Sequence, residues 1–139
     1  MHLLDTNVVS ELRKVSAGKA DVRVASWAAG LRPGHAFLSV ITLHELEHGV
    51  LLAERSDPAQ GAILRRWLDE GVGQAFEQRV LPVDEAVARR AAALHVPDPA
   101  PFRDALIGAT ALIHGLVMVT RNERDFARFA GLRIVNPWR

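Results

Sequence analysis

Four acidic residues occupy the joints of this chain: Asp5 in Leu3-Leu4-Asp5-Thr6-Asn7, Glu45 in Thr42-Leu43-His44-Glu45-Leu46, Asp104 in Pro101-Phe102-Arg103-Asp104-Ala105, and Asp125 in Thr120-Arg121-Asn122-Glu123-Arg124-Asp125-Phe126. Asp5 ends an apolar run where a short buried strand would hand over to a helix, and in an open α/β sheet that end faces the ligand crevice. Two carboxylates about 5 Å apart at an effective dielectric near ~20 repel by roughly 3 kcal/mol, and further acids compound the cost. A divalent cation removes it. Magnesium and manganese prefer hard oxygen ligands and retain waters, so Asp and Glu with an Asn nearby suit them better than zinc. Such an ion lowers the pKa of a bound water and stabilises charge on a phosphodiester, so these residue types point to metal-assisted phosphodiester hydrolysis.

The elements that must position these acids follow from periodicity. Short β-like runs at Leu3–Leu4, Ala36–Val40, Arg79–Val83, Leu116–Thr120 and Leu132–Val135 alternate with helix-period segments. The helical segments are Asn7–Lys14, Val22–Leu31, Leu43–Arg55, Pro58–Phe76, Asp84–His95 and Arg103–Gly115, with Thr42, Asp57 and Asp84 as N-terminal caps. That alternation predicts an α/β fold in which a parallel sheet is covered by helices on both faces. The loop His95-Val96-Pro97-Asp98-Pro99-Ala100-Pro101 cannot continue a helix, because its prolines lack donors and restrict their neighbours. It therefore delivers Arg103 and Asp104 to a fresh helix start. No solenoid-length repeat or low-complexity tract is present.

With 139 residues, 49% of them hydrophobic, the chain suits one compact domain over residues 1–139 with its own core. Seventeen basic and 16 acidic residues leave a formal charge of +1, so net charge alone does not announce a nucleic-acid binder. The absence of cysteine excludes disulfides, cysteine-ligated zinc and a thiol nucleophile. Asp5 and Asn7 interrupt the first apolar residues too early for a signal peptide, and the apolar stretch Ala105–Thr120 is too short to span a bilayer. A soluble cytoplasmic protein with no membrane partner is expected.

Four motifs in order carry a family resemblance: Leu3-Leu4-Asp5-Thr6-Asn7, Thr42-x-x-Glu45-Leu46-x-x-Gly49, Asp104-Ala-Leu-Ile-Gly-Ala-Thr-Ala, and Thr120-Arg-Asn122-x-x-Asp125-Phe126. The chain resembles PIN-domain ribonucleases, and the closing Leu132-Arg-Ile-Val-Asn-Pro-Trp138 extends the likeness to the VapC/FitB-type toxin branch. The resemblance implies five parallel strands in the order 3-2-1-4-5, so that Asp5 and the Asn122/Asp125 loop meet at the switch point between the first and fourth strands. It implies a magnesium-dependent endoribonuclease, with manganese as a substitute, acting on RNA as the toxin of a type II toxin–antitoxin pair. It also implies a homodimer and a VapB-like antitoxin whose carboxy-terminal segment covers the site. By position, Asp5 and Asp104 would be the principal metal ligands and Glu45 and Asp125 would complete the site directly or through water. Thr6 and Asn122 would be polar supports, and Asn122, Glu123 and Asp125 all stand near the fourth position.

Other readings compete for the same residues. Asp5 and Asp104 sit near helix starts, where an acid also caps free amides. His44-Glu45-Leu46-Glu47-His48 matches the His-Glu-x-x-His signature of zinc metalloproteases, in which two imidazoles hold zinc and the glutamate is the base. No further His follows at the spacing of extended metzincin motifs, and the other acids would be left without a purpose. An aspartyl-phosphate enzyme of the dehalogenase pattern would want an acid where Asn7 stands, and a receiver domain would want a lysine in the tail Leu132–Arg139. A plain binding module leaves the acid cluster unexplained. Arg13, Lys14, Arg103, Arg121 and Arg124 are candidates for holding RNA phosphates around the acidic centre. Trp27, Leu64, Trp67 and Phe76 read as core, or as an apolar groove for a partner helix.

Overall fold

The computed structural model describes residues 1–139, and its centre is the strand His2–Leu4 (β1). Leu3 and Leu4 are fully buried yet belong to different clusters, because successive side chains of a strand point to opposite faces. A strand covered on both faces reads as a continuous apolar run. The fourth strand repeats the pattern, with Met118 in one cluster and Val119 in the other.

Five strands pair in parallel in the order 3-2-1-4-5: β1, Ala36–Ser39 (β2), Val80–Leu81 (β3), Val117–Val119 (β4) and Ile134–Val135 (β5). Leu3 lies opposite both Phe37 and Met118, so β1 is flanked by β2 on one side and β4 on the other. One face is covered by Thr6–Leu12 (α1), Val22–Ala29 (α2), Val40–Ser56 (α3), Pro58–Arg66 (α4), the π-helical segment Trp67–Val72 and the short Gly73–Ala75 (α5). Its core joins Val8, Val9, Leu46, Val50, Leu68, Val72 and Phe76 to Leu4, Leu38 and Val119. The other face carries Glu85–Ala93 (α6), Phe102–His114 (α7) and Glu123–Ala127 (α8), packing Val87, Ala91, Ile107, Phe126 and Phe129 on Leu3 and Met118. This is the α/β sheet with helices on both faces that the alternating pattern predicts.

Local differences from the sequence reading have physical causes. The third helix begins three residues before Leu43: Ser39, not Thr42, is its cap, accepting from the Ile41 N–H at 3.0 Å, while Thr42 is buried inside the first turn. Asp57 and Asp84 do cap, accepting from Gln60 and Val87 N–H. The segment expected as one helix over Pro58–Phe76 changes to π winding at Trp67. Asp125 does not lie in a loop: it sits in the first turn of α8, which the sequence reading left out, since five residues offer only Phe126 as an apolar anchor. Gly115 stops α7 at φ 64, a left-handed position where a side chain would be strained. Trp27, Leu64 and Trp67 are half-buried against the core and Phe76 is buried.

Candidate active site

The crevice at the carboxyl ends of β1 and β4 is where the strand order reverses, and Asp5 and Thr120 leave those two strand ends. Asp5 is 7% exposed and fully engaged. Its Oδ1 accepts from the Thr6 N–H at 2.8 Å and so caps α1, while Oδ2 accepts from Thr120 Oγ1 at 2.7 Å and from Asn7 Nδ2 at 3.4 Å. Capping and site placement are thus one conformation. Burial pushes the Asp5 carboxyl above its ordinary pKa, the Thr120 and Thr6 hydrogen bonds oppose the rise, and the Asp125 charge adds to it.

Glu45 projects from α3 among Thr42, Leu46 and Gly49, and burial followed by the charge of Asp5 raises its pKa. Arg103, Thr6 and His44 pull the other way. The Thr6 hydroxyl is buried and closes no hydrogen bond, so its influence on Glu45 is that of a nearby dipole rather than of a formed contact. Asp104 lies in the first turn of α7 but caps nothing, since the cap position is Pro101. Its carboxyl is pushed up to about 6, first by burial and then by Asp125, Asp5 and Glu45. The loop that delivers it is tied down: His95 Nδ1 accepts from the Ala100 N–H at 3.0 Å, and Arg128 donates to the Asp98 and Pro99 carbonyls.

The structure therefore brings Asp104 within electrostatic reach of Asp5, Glu45 and Asp125, and Asp5 within reach of Glu45 and Asp125, and none of the four belongs to any of the protein's ion pairs. No three of these side chains, as placed, stand close enough together to form a group that could hold a metal ion. Exposed Asp125 is the outermost member. Asn122 is exposed, its side chain caps nothing, and its backbone N–H donates to Thr120 Oγ1 at 3.0 Å. The amide that touches Asp5 is Asn7, whose Oδ1 also accepts from the Arg121 N–H at 3.3 Å. Thr120 and Asn7, which donate to the Asp5 carboxylate, are not among the residues expected from the sequence, although both stand inside its first and last acidic motifs.

The four acids offer oxygen donors and none of them is ion-paired, a donor chemistry of the kind a hard divalent cation takes. His44 and His48 are exposed on α3, with ring centroids 6.5 Å apart, and no third His, Cys, Asp or Glu completes a metal group with them. A profile described as PIN domain matches residues 2–132. The chain belongs to the PIN-domain family. Within it the relatives are of the VapC/FitB branch. The chain is 36% identical over 143 residues to the VapC ribonuclease Y4jK of Sinorhizobium fredii, covering 99% of this chain and 98% of that one. It is 35% identical over 144 residues to Toxin FitB of Neisseria gonorrhoeae, covering 99% of each. The crystal structure of FitAcB from Neisseria gonorrhoeae contains a chain that matches this PIN domain with a TM-score of 0.89 at 33% identity, over 99% of both chains.

Proposed function

We propose that this PIN domain is a magnesium-dependent endoribonuclease and the toxin of a type II toxin–antitoxin pair. The observation that carries the reading is the convergence of Asp5, Glu45, Asp104 and Asp125 at the sheet's switch point with no cation of the protein paired to them. Asp5 and Asp104 would hold the ion most directly, with Glu45 and Asp125 completing its surroundings directly or through water. Magnesium or manganese bound there supplies a Lewis acid and a water of lowered pKa. Thr120 and the Thr6 N–H fix the Asp5 carboxylate, and the unpartnered Thr6 hydroxyl is available to a water on the Glu45 side. Magnesium keeps several of its waters and so needs few direct protein ligands.

The substrate and an antitoxin partner are supported by the relatives, which are named as ribonucleases and as a toxin, and by solved complexes titled FitAcB and VapBC. RNA, a VapB-like antitoxin, a second copy of this chain and a cytoplasmic setting belong to the same proposal. No helix is long and apolar enough to cross a membrane. The zinc-protease reading of His44-Glu45-x-x-His48 gains nothing from the structure, where Glu45 couples to Asp5 instead.

The decisive experiment incubates purified protein with total RNA, with and without magnesium, and compares Asp5→Asn and Asp104→Asn. Each variant should stay folded and lose at least about 100-fold in cleavage, as expected when a metal-holding charge disappears. Expression alone should arrest bacterial growth, and the neighbouring gene product should relieve it. Near-wild-type cleavage by either variant would overturn the ligand assignment.

A further inference from the structure

Four carboxylates repel a polyanion, so an RNA strand needs cations beside the acids to lie across them. Most of the basic residues near the crevice are already engaged. Arg13 lies over the Trp67 ring at 5.9 Å and Arg121 over Trp138 at 5.2 Å, while Lys14 pairs with Glu11 at 3.2 Å. Arg103 and Arg124 are both exposed and belong to no ion pair, and of the two Arg103 sits one residue before Asp104.

Where α3 passes the start of α7, a cavity of about 270 Å³ is lined by His44, Glu47, His48, Leu51 and Arg103. Three of those five side chains are donors. The acid among them is paired, since Glu47 accepts both arms of Arg65 at 2.8 and 2.6 Å, a guanidinium it shares with Glu54 and Asp69. His44 and His48 are one turn apart, about 6 Å along the axis, and their ring centroids are separated by 6.5 Å. One phosphate group accepting from both rings at about 2.9 Å spans such a gap. The cavity borders the acids, because its lining residues His44 and Arg103 directly precede Glu45 and Asp104 in the chain.

We propose that His44, His48 and Arg103 form a subsite for a non-scissile phosphate of the RNA strand, on the shoulder between α3 and the first turn of α7. The inference rests on the ribonuclease reading and deepens it, because it sets the side of the crevice over which the strand leaves the carboxylates. It also gives the His-Glu-x-x-His motif a use other than zinc: the two imidazoles flank Glu45 as phosphate donors.

The test measures binding of a labelled single-stranded RNA oligonucleotide by anisotropy in EDTA, where the acids only repel and the shoulder is isolated. The triple variant His44→Ala, His48→Ala, Arg103→Ala, built on exposed positions, should bind at least about tenfold more weakly. Its slope of log affinity against log salt should fall by about one. A control Arg89→Ala, at an exposed residue of α6 that pairs with Glu85 and does not line this cavity, should bind as wild type does. In magnesium the triple variant should lose kcat/KM through KM, whereas Asp5→Asn should lose kcat. Neutral methylphosphonates placed one at a time should reveal one linkage, off the cleaved bond, whose neutralisation erases the difference between wild type and variant. Wild-type affinity and salt slope in the triple variant, with RNA cleavage intact, would overturn the subsite alone. So would stoichiometric zinc lost from the variant with RNA binding unchanged. A wild-type protein that neither binds nor cleaves RNA would overturn the ribonuclease reading with it.

Discussion

Asp5 does two things with one carboxylate: Oδ1 caps α1 through the Thr6 N–H, and Oδ2 is held by Thr120 Oγ1 at 2.7 Å. The second bond decides how the group faces the crevice, and Thr120 Oγ1 in turn accepts from the Asn122 N–H, which seats the turn leading to Asp125. Thr120→Val should therefore keep the fold at a cost of about 1 kcal/mol while removing the largest influence that holds the Asp5 pKa down. We expect magnesium affinity, measured by calorimetry, and RNA cleavage to fall about 10- to 100-fold, as for other groups that orient a ligand. Thr120→Ser should restore both. A Val variant with unchanged metal affinity would show the hydroxyl to be structural only. Whereas Glu45 stood out only through its apolar neighbours and Gly49, the places of Asp5 and Asp104 were legible because an acid at the end of a buried strand or in a helix start is conspicuous on its own. Thr120 and Asn7 were not, since their meaning depends on β1 lying against β4, a contact between residues 115 apart in the chain for Thr120 and Asp5.

Helices were read from their apolar period, and the period says which face is buried without saying how close a neighbour comes. Gly61 shows the gap. Within α4 it looks like a helix-weakening glycine, which Ala would improve by about 1 kcal/mol. In the structure α4 folds back on α3, and a Cβ at Gly61 would meet Glu54 Cα at 2.4 Å and Glu54 N at 2.7 Å, atoms of backbone that cannot rotate away. Gly61→Ala should thus destabilise by about 1–3 kcal/mol, the ordinary range for overpacking, and lower the urea midpoint at unchanged m. Gly49 in α3 has nothing within 4 Å of its Cβ position. Gly49→Ala should raise the midpoint, by up to about 1 kcal/mol in stability. The same limit explains the π segment at Trp67–Val72 and the five residues of α8, neither of which carries a periodic signal of its own. The strand order came from the family motifs, because alternation alone does not say which strands are neighbours.

At the scale of the molecule, the acids make stability depend on pH and on the ion in opposite senses. Burial and its acidic neighbours push the folded-state pKa of Asp104 up to about 6, and Asp5 and Glu45 are shifted upward as well, whereas unfolded carboxyls titrate at about 4. Between about pH 4 and pH 6 the folded state consequently holds more protons than the unfolded one, and stability falls as pH rises through that window. Glu11 and Glu47 are shifted downward by their hydrogen bonds, so their contributions are present above the unfolded pKa and are lost only toward lower pH. Comparing wild type with Asp104→Asn isolates the site from these opposing groups. In EDTA, the urea stability of wild type relative to the Asn variant should decline from pH 4.5 to pH 7. Magnesium binds the ionised acids, so at pH 7 it should restore stability to wild type, by about 2.7 kcal/mol at a hundred times its dissociation constant. It should do little at pH 4.5, where protons compete, and little to the Asn variant at either pH. A wild-type stability that tracks the variant across the whole range, with magnesium or without, would mean that Asp104 neither feels its acidic neighbours nor holds the ion.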